Sequence, residues 1–289
     1  MTSAQGHFIW DFDPVLIHLG SFQIRYYGVL FAAAIYVGYL LMKWQYKRGG
    51  ISEEKADHLF LYGTLGIVIG ARLGHVLFYE PSIFLNDPLE VFRIWRGGLA
   101  SHGATIGVLL AVVIYVLVHK VNIVEVLDRL SMSIAIGSSF IRLCNFLNSE
   151  IVGKVSNAPY AIIFKRYDMN PRIPTQFLEI LIGITVFLIL FFVDRHYRES
   201  RPRGLLASLF MICYFGLRFM VEFLKEEQAE FLLGVRSPLT MGQYLSIPFF
   251  IGGCVGLYFA IKIWHVPPVV VSAPSPEKDY PRRKKKKKS

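Results

Sequence analysis

The sequence predicts an all-α integral membrane protein built as a bundle of about seven transmembrane helices. The chain has 289 residues, of which 54% are hydrophobic and only 18% are charged, and its mean hydropathy is +0.44. Soluble domains carry about 25% charged residues. Apolar runs of roughly 20 residues, the length that crosses a bilayer, occur at about 22–43, 58–79, 98–118, 126–147, 175–193, 204–224 and 240–264.

Each predicted span carries its polar residues close to one end. From the first span to the seventh, these are Tyr27; Arg72, His75 and Tyr79; His102; Arg142, Asn145, Asn148 and Glu150; Gln176 and Glu179; Tyr214, Arg218 and Glu222; and Gln243. Charge inside a bilayer costs about 2.5–3.5 kcal/mol per residue on insertion scales, so we interpret these groups as functional. Gly66, Gly70 and Gly74 form a small-xxx-small ridge, which predicts close packing of the second helix.

Loop charges predict the orientation of the bundle. Basic residues follow the odd-numbered spans: Lys43, Lys47 and Arg48; Lys120; Arg195, Arg198, Arg201 and Arg203; and Arg282–Lys288. Since basic loops favour the cytoplasm, we predict an outer N-terminus, a cytoplasmic C-terminus and polar ends at the outer leaflet. Residues 121–129 are expected to run along the interface. The inner halves look apolar, as in Val108–Val118 and Ile247–Ile261, which predicts a one-sided cavity.

Composition divides the chain into two parts. Residues 1–265 are predicted to form the membrane domain, with a small outer loop subdomain at about 148–174, whose basic residues are expected to serve an anionic ligand: Lys154, Lys165, Arg166 and Arg172. Residues 266–289 are predicted to be a disordered, Pro-rich and polybasic cytoplasmic tail that binds anionic membrane lipids. Without the seven cations of Arg282–Lys288, 24 basic residues remain against 21 acidic ones, so no nucleic-acid partner is expected.

The three cysteines, Cys144, Cys213 and Cys254, lie in separate apolar segments. Their spacing fits no metal site, so we expect free thiols, with Cys144 in a packing role. No HExxH motif occurs in the sequence, and we expect neither a metal nor an organic cofactor. The N-terminus lacks a basic n-region and an apolar h-region, so no cleaved signal peptide is expected.

Seven segments resemble one enzyme family, the prolipoprotein diacylglyceryl transferases. They are Tyr27-Gly28, ARLGHVLFYE at 71–80, RGGLASHGATIG at 96–107, RLCNFLNSEIVGK at 142–154, PTQFLE at 174–179, YFGLRFMVEF at 214–223 and TMGQYLSIP at 240–248. The chain departs from the family pattern at Ile141 and Cys144, where glycine is usual. It also departs at Ala104, where glycine is usual, and at Ile173, where histidine is common.

The resemblance implies a transferase of the bacterial inner membrane, with its active site toward the outer leaflet. The diacylglyceryl group of phosphatidylglycerol would move to the thiol of a lipobox cysteine in a prolipoprotein, and glycerol 1-phosphate would leave. This reaction is the first step of lipoprotein maturation. The bond broken joins carbon to oxygen, so the reaction is an alkyl transfer at an sp3 carbon. The reacting sulfur belongs to the substrate, and no cofactor takes part.

The resemblance also assigns residues to roles. Arg142 and Arg218 are the expected catalytic arginines, because a guanidinium binds phosphate bidentately and stays charged. His102 is the expected general base, since the thiolate is the nucleophile and the substrate thiol must lose a proton. The expected substrate-binding set is Tyr27, Arg142, Asn145, Asn148, Glu150, Gly153, Tyr214, Arg218 and Glu222.

Structural readings of the same residues remain open at this point. Arg142 could pair with Glu179 or Glu222, Arg218 with Glu222 at i, i+4 spacing, and His102 could be an ordinary core histidine. The alternative function is an anion or lipid transporter with an outward-facing cavity. A retinal photoreceptor is disfavoured because the only lysine of the seventh span is Lys262, at its end. A monomer is favoured.

Overall fold

Seven long helices make up most of the described part of the chain, which confirms the predicted fold class. The computed structural model describes residues 6–20, 22–83, 87–93, 97–98, 100–226 and 239–264, so the predicted tail at 266–289 lies outside the described residues. All seven helices are long and apolar enough to cross a membrane. They are α1 (Tyr26–Arg48), α2 (Glu53–Phe78), α3 (Ser101–His119), α4 (Ile123–Leu147), α5 (Thr175–Tyr197), α6 (Leu205–Glu222) and α7 (Met241–Lys262). Short 3-10 turns occur at Pro88–Phe92 and Arg198–Ser200.

Short strands lie beside the helices, and the hydropathy pattern did not predict them. β1 (Phe8–Trp10) pairs in parallel with β4 (Ile162–Phe164), which pairs antiparallel with β5 (Pro171–Arg172). β2 (Val15–Leu19) and β3 (Phe22–Arg25) form an antiparallel hairpin. Because residues 22–25 belong to β3, α1 begins at Tyr26 and not at the predicted position 22. The β1–β4–β5 sheet packs on the end of α4, where the rings of Trp10 and Phe146 lie 4.5 Å apart.

Helices α2 and α3 pack backbone against backbone, as the glycine ridge predicted. A Cβ atom at Gly70 would lie 2.4 Å from the carbonyl oxygen of Gly103, and one at Gly66 would lie 2.6 Å from that of Gly107. Both distances are shorter than any real Cβ contact, so only glycine allows this approach. Small residues at an interface are the usual means by which membrane helices come this close.

Helix α4 is central to the bundle and contacts α1, α5 and α6. Ser133 donates a hydrogen bond to the carbonyl of Gly38 on α1 at 2.9 Å, and Ser139 donates one to that of Ile180 on α5 at 3.0 Å. Two residues of this helix name the two ends of the bundle. Arg142 lies at the end of the bundle where α1 begins at Tyr26, α2 ends at Phe78 and α5 begins at Thr175. We call this end of the bundle the Arg142 end. Arg129 lies near the opposite end, which we call the Arg129 end.

The expectation that residues 121–129 follow the membrane interface is wrong. Residues 123–129 are the first turns of α4, which is capped by the Asn122 side chain accepting hydrogen bonds from the backbone N–H groups of Val124 and Glu125. Asp128 and Arg129 are 0% and 1% exposed. Their charges looked interfacial in the sequence, but they are buried because other helices supply their partners.

The charged groups that surround Arg129 form a buried ion network, which we call the Arg129 cluster. Its members are Arg48, Glu125, Asp128, Arg129, Asp194, Glu199 and Arg201. The network ties α1, α4 and α5 to the loop between α5 and α6. We expected apolar helix halves at this end of the bundle; α3 and α7 agree with that expectation, whereas the Arg129 cluster contradicts it for α1, α4 and α5.

Candidate functional site

Arg142 lies near the end of α4 and makes two weak polar contacts. Its Nη1 donates to the Asn145 side-chain oxygen one turn later at 3.2 Å. Its Nε lies 3.3 Å from Oε2 of Glu179, on the first turns of α5. The side chain is only 12% exposed, so a mostly buried guanidinium retains donor groups that no described residue accepts.

A chain of side-chain amides extends this site to Glu150. Asn145 donates to one carboxylate oxygen of Glu150 at 3.2 Å, and Asn148, the C-cap of α4, donates to the other at 3.1 Å. Gln176 on α5 donates to the Glu150 backbone carbonyl at 2.7 Å. The backbone turns sharply here, with left-handed φ values of 58° at Ser149 and 56° at Ile151. Strained conformations of non-glycine residues are costly and cluster at functional sites.

Arg218 approaches the same carboxylate from α6. Its Nη1 lies 3.5 Å from Oε1 of Glu179, and its side chain is 25% exposed. The two predicted phosphate-binding arginines, from α4 and α6, therefore converge on opposite oxygens of one buried acid. Of the two acids that the sequence offered as partners of Arg142, the described structure therefore pairs it with Glu179. In the described part of the chain, Arg218 pairs with Glu179 and not with Glu222.

Lys225 is a site residue that the sequence reasoning missed. Its Nζ lies 2.8 Å from Oε1 of Glu179 and 3.0 Å from Oε2 of Glu222, and its side chain is 4% exposed. It stands two residues beyond the matched segment at 214–223 and looks like an ordinary loop lysine. The i, i+3 spacing from Glu222 was the one available signal. Three cations and two acids thus meet at the Arg142 end, and we call this group the Arg142 cluster: Arg142, Glu179, Arg218, Glu222 and Lys225.

Tyr27 and Tyr214 flank this cluster. Tyr27 interacts electrostatically with Arg142 and Glu150, and its backbone carbonyl lies 3.8 Å from Sγ of Cys144. Tyr214 lies one turn before Arg218 on α6, with its ring stacked on Phe210 at a centroid distance of 5.2 Å. Tyr27 is therefore placed beside the polar chain, whereas Tyr214 is held by aromatic packing.

Gly153 joins the two halves of the site through its backbone. Its N–H donates to the carbonyl of Ile173 at 2.9 Å, and it forms an isolated antiparallel bridge with Lys225. A Cβ at this position would lie 2.4 Å from the Ile173 oxygen and 2.9 Å from the Leu224 oxygen. This close packing accounts for the glycine without a ligand contact.

His102 stands apart from the cluster. It is the second residue of α3 and is exposed. Within the described ranges, no hydrogen bond or ion pair joins it to Arg142, Arg218 or Glu179. Its role as a general base stays a prediction.

Other predicted cations have structural partners. Arg72 is buried and donates to the backbone carbonyls of Glu90, Val91, Gly97 and Gly98. Lys165 pairs with Asp11, and Arg172 pairs with Asp168 and Glu226. The Arg172 guanidinium holds the pKa of Asp168 below its ordinary value of 3.8, and a hydrogen bond to Glu226 raises the pKa of Tyr167. These contacts account for Lys165 and Arg172 without an anionic ligand.

All three cysteines are free, as predicted, and Cys144 is buried. Among the described residues, no group of three or more His, Cys, Asp or Glu is arranged to hold a metal ion. A pocket of about 230 Å³ lies at the Arg129 end, lined by Asn122, Val124, Arg203, Ile263 and Trp264. None of the predicted site residues lines it, and Arg203 is the one ionisable residue of that lining, so the candidate chemistry lies with the Arg142 cluster. The one-sided cavity stays a prediction.

Comparisons with known proteins agree with these features. The prolipoprotein diacylglyceryl transferase family model matches residues 14–259. A phosphatidylglycerol–prolipoprotein diacylglyceryl transferase of Tolumonas auensis is 40% identical over 254 residues, covering 88% of this chain and 97% of the relative. The enzyme of the same name from Bacteroides fragilis is 40% identical over 262 residues, with 86% and 93% covered. That of Chloroherpeton thalassium is 38% identical over 260 residues, with 90% and 96% covered. With a family match that spans most of the membrane bundle, this chain belongs to the prolipoprotein diacylglyceryl transferase family.

Proposed function

We propose that this protein transfers the diacylglyceryl group of phosphatidylglycerol to the thiol of a prolipoprotein cysteine and releases glycerol 1-phosphate. Family membership and the names of the relatives support both substrates. The observation that carries the proposal is the convergence of Arg142 and Arg218 on one carboxylate, at 3.3 and 3.5 Å. Two guanidinium groups that reach one carboxylate from different helices are placed to hold one phosphodiester.

The arginines have two tasks in this reaction. They hold the anionic phosphodiester in the ground state, where planar guanidinium groups bind phosphate oxygens bidentately. As the thiolate attacks the sp3 carbon, a carbon–sulfur bond forms, the carbon–oxygen bond breaks, and charge grows on the departing phosphate. Fixed cations in a low-dielectric site stabilise that growing charge more than water does.

The other predicted contacts surround the headgroup. Asn145, Asn148 and Glu150 offer amide and carboxylate groups to the headgroup hydroxyls, and Tyr27 lies beside them. Glu222 contributes through Lys225, and Tyr214 borders the position of Arg218. Gly153 shapes the site because its lack of a side chain allows the backbones of Ile173 and Leu224 to approach it closely. We propose no metal and no organic cofactor.

The proton of the substrate thiol needs an acceptor, and we propose His102. Its exposed position at the start of α3 supports access to a substrate that arrives from outside the bundle. Replacing His102 with Asn removes the proposed proton acceptor and keeps a polar side chain. We expect the pH–rate profile of this variant to differ from that of the wild type. An unchanged profile would exclude His102 as the base.

The seven apolar helices and the bacterial relatives indicate a multi-pass membrane protein. We propose that it lies in the bacterial inner membrane with the Arg142 end at the outer leaflet, supported by the basic loops at the opposite end. On this orientation the residues beyond 265 are cytoplasmic and contact anionic membrane lipids. The lipobox segment of the prolipoprotein reaches the Arg142 end from the outer side, and the protein acts as a monomer.

The direct test combines purified protein, phosphatidylglycerol and a lipobox peptide. Mass spectrometry should detect a peptide that has gained one diacylglyceryl group. A matched peptide with alanine in place of cysteine should gain nothing, because it lacks the nucleophile. Absence of product under conditions in which the Tolumonas auensis relative gives product would refute the proposal.

No observation favours the transporter alternative. Alternating access needs polar groups that a substrate can contact on both sides of the membrane. The arginines of the Arg129 cluster are instead bound to carboxylates of this chain.

A further inference from the structure

The three cations of the Arg142 cluster all contact Glu179, but they do so at different distances and with different geometry. Glu179 is 3% exposed. Among the described residues, only Lys225 makes a hydrogen bond to its carboxylate, at 2.8 Å between Nζ and Oε1. The two arginines stand within ion-pair distance but make no aligned hydrogen bond with it, and its Oε2 is buried without a hydrogen-bond partner in the described part of the chain.

We infer that Glu179 is the resident counterion of Arg142 and Arg218 in the empty enzyme, and that the lipid phosphate displaces it onto Lys225. The inference rests on the proposed function of this site. Before the lipid arrives, the carboxylate keeps the guanidinium groups of Arg142 and Arg218 aimed at one point. When a phosphodiester takes that point, its charge repels the carboxylate, and Lys225 holds the carboxylate aside.

The position of Lys225 suits this exchange. Its ammonium is a compact charge on a flexible stem with three donors, so it can follow a carboxylate that moves by a fraction of an ångström. It contacts Glu222 as well as Glu179, at 3.0 and 2.8 Å. Its backbone is fixed by the bridge to Gly153. Lys225 and Glu179 are thus positioning residues for the phosphate, and neither needs to touch the reacting carbon.

The exchange predicts that the two residues have opposite effects on lipid binding. In Glu179→Gln the charge that competes with phosphate is gone, so the KM for phosphatidylglycerol falls. The kcat also falls, because no carboxylate orients the two guanidinium groups. In Lys225→Met the carboxylate returns to the arginines and competes with phosphate, so KM rises. We expect changes on the order of tenfold, since an ion pair of this kind is worth about one power of ten or more. In the double variant, KM returns toward the Glu179→Gln value because there is no carboxylate charge left to restrain.

The test measures initial rates against the mole fraction of phosphatidylglycerol in mixed micelles, at a fixed peptide concentration. Native mass spectrometry of phosphatidylglycerol bound to each variant gives a second readout that needs no turnover. Glu226→Gln is the matched control, because Glu226 follows Lys225 in the chain and pairs with Arg172 outside the cluster. Its KM should equal that of the wild type.

The outcomes separate this inference from the proposed function. A wild-type protein that binds phosphatidylglycerol but transfers nothing would refute the function, while the binding readout would still test the exchange. Opposite shifts of lipid affinity in the two single variants, with a non-additive double variant, support the exchange. Unchanged affinities, shifts in the same direction or additive effects overturn it, and a loss of kcat alone would show a structural ion pair.

Discussion

Each end of α4 carries an arginine that is largely shielded from solvent, and the two differ in how completely the protein hydrogen-bonds their guanidinium groups. Arg129 donates from all three of its nitrogens: Nε to Glu125 at 2.6 Å, Nη1 to the Gln45 carbonyl at 2.8 Å and Nη2 to Glu199 at 2.7 Å. Arg142 has one hydrogen bond to Asn145 at 3.2 Å and one loose ion pair to Glu179 at 3.3 Å. Both are costly charges in the same apolar helix.

The difference separates a structural charge from a ligand-binding one. A buried charge that is fully hydrogen-bonded by its own protein has no donor left for a substrate. A buried guanidinium with spare donors is stable only if something else completes it, since unsatisfied buried groups cost free energy. The side chains of Arg129 and Arg142 are 1% and 12% exposed, so exposure separates them less than their hydrogen bonds do.

The largest expected effect on stability is at Arg129. Arg129→Met should destabilise the protein by about 3–5 kcal/mol, because Glu125 and Glu199 each lose their closest cation, at 2.6 and 2.7 Å, and keep only the longer contacts to Arg48 and Arg201. Thermal unfolding in detergent checks this loss. Transfer activity per folded molecule should stay close to the wild-type value, since Arg129 lies at the end of the bundle away from the Arg142 cluster.

Arg142→Met is the matched substitution on the same helix. Its unfolding temperature should change much less, because Glu179 keeps Lys225 and Arg218. If the two variants lost equal stability, the distinction between a saturated and an unsaturated arginine would fail.

The next effect is on catalysis at Arg142 and Arg218. Arg142→Gln and Arg218→Gln should each lower kcat by about 10²–10³-fold, the usual cost of losing one preorganised donor to a developing charge. Replacement by lysine should recover only part of the rate, because an ammonium cannot bind phosphate with a planar fork. The rate of diacylglyceryl addition to a lipobox peptide is the measurement. Near-normal turnover in either glutamine variant would remove that arginine from the phosphate site.

The sequence predicts the seven helices well because hydropathy is a local property. It also indicates the Arg142 end, where the matched segments carry Arg142 and Arg218. It does not reveal Lys225 or the Arg129 cluster. Those depend on pairs such as Arg48 with Asp194 and Arg129 with Glu199, whose partners lie on different helices. The strands are also hidden, because β1 and β4 have three residues each and their pairing spans most of the chain.

A third buried arginine, Arg172, extends the comparison to the sheet beside the bundle. Like Arg129, it is hydrogen-bonded by side chains of its own protein. Its partners are Asp168 and Glu226, and the Tyr167 ring lies 4.9 Å from its guanidinium carbon. Because Arg172 lowers the pKa of Asp168, the ionised carboxylate stabilises the fold. This contribution is complete above the ordinary pKa of 3.8. It is lost as the pH falls through the lower pKa of the folded protein.

We therefore expect the smallest effect from Asp168→Asn, and we expect it to depend on pH. Near neutral pH the variant should unfold at a slightly lower temperature than the wild type, because the pair is partly exposed and solvent screens it. The gap should narrow as the pH drops below 3.8, where the wild-type carboxyl also becomes protonated. Unfolding temperatures of both proteins across this range provide the measurement. A difference in unfolding temperature that stays constant with pH would show that Asp168 acts through its shape alone. Arg172 would then no longer count, like Arg129, as an arginine stabilised by charged partners of its own protein.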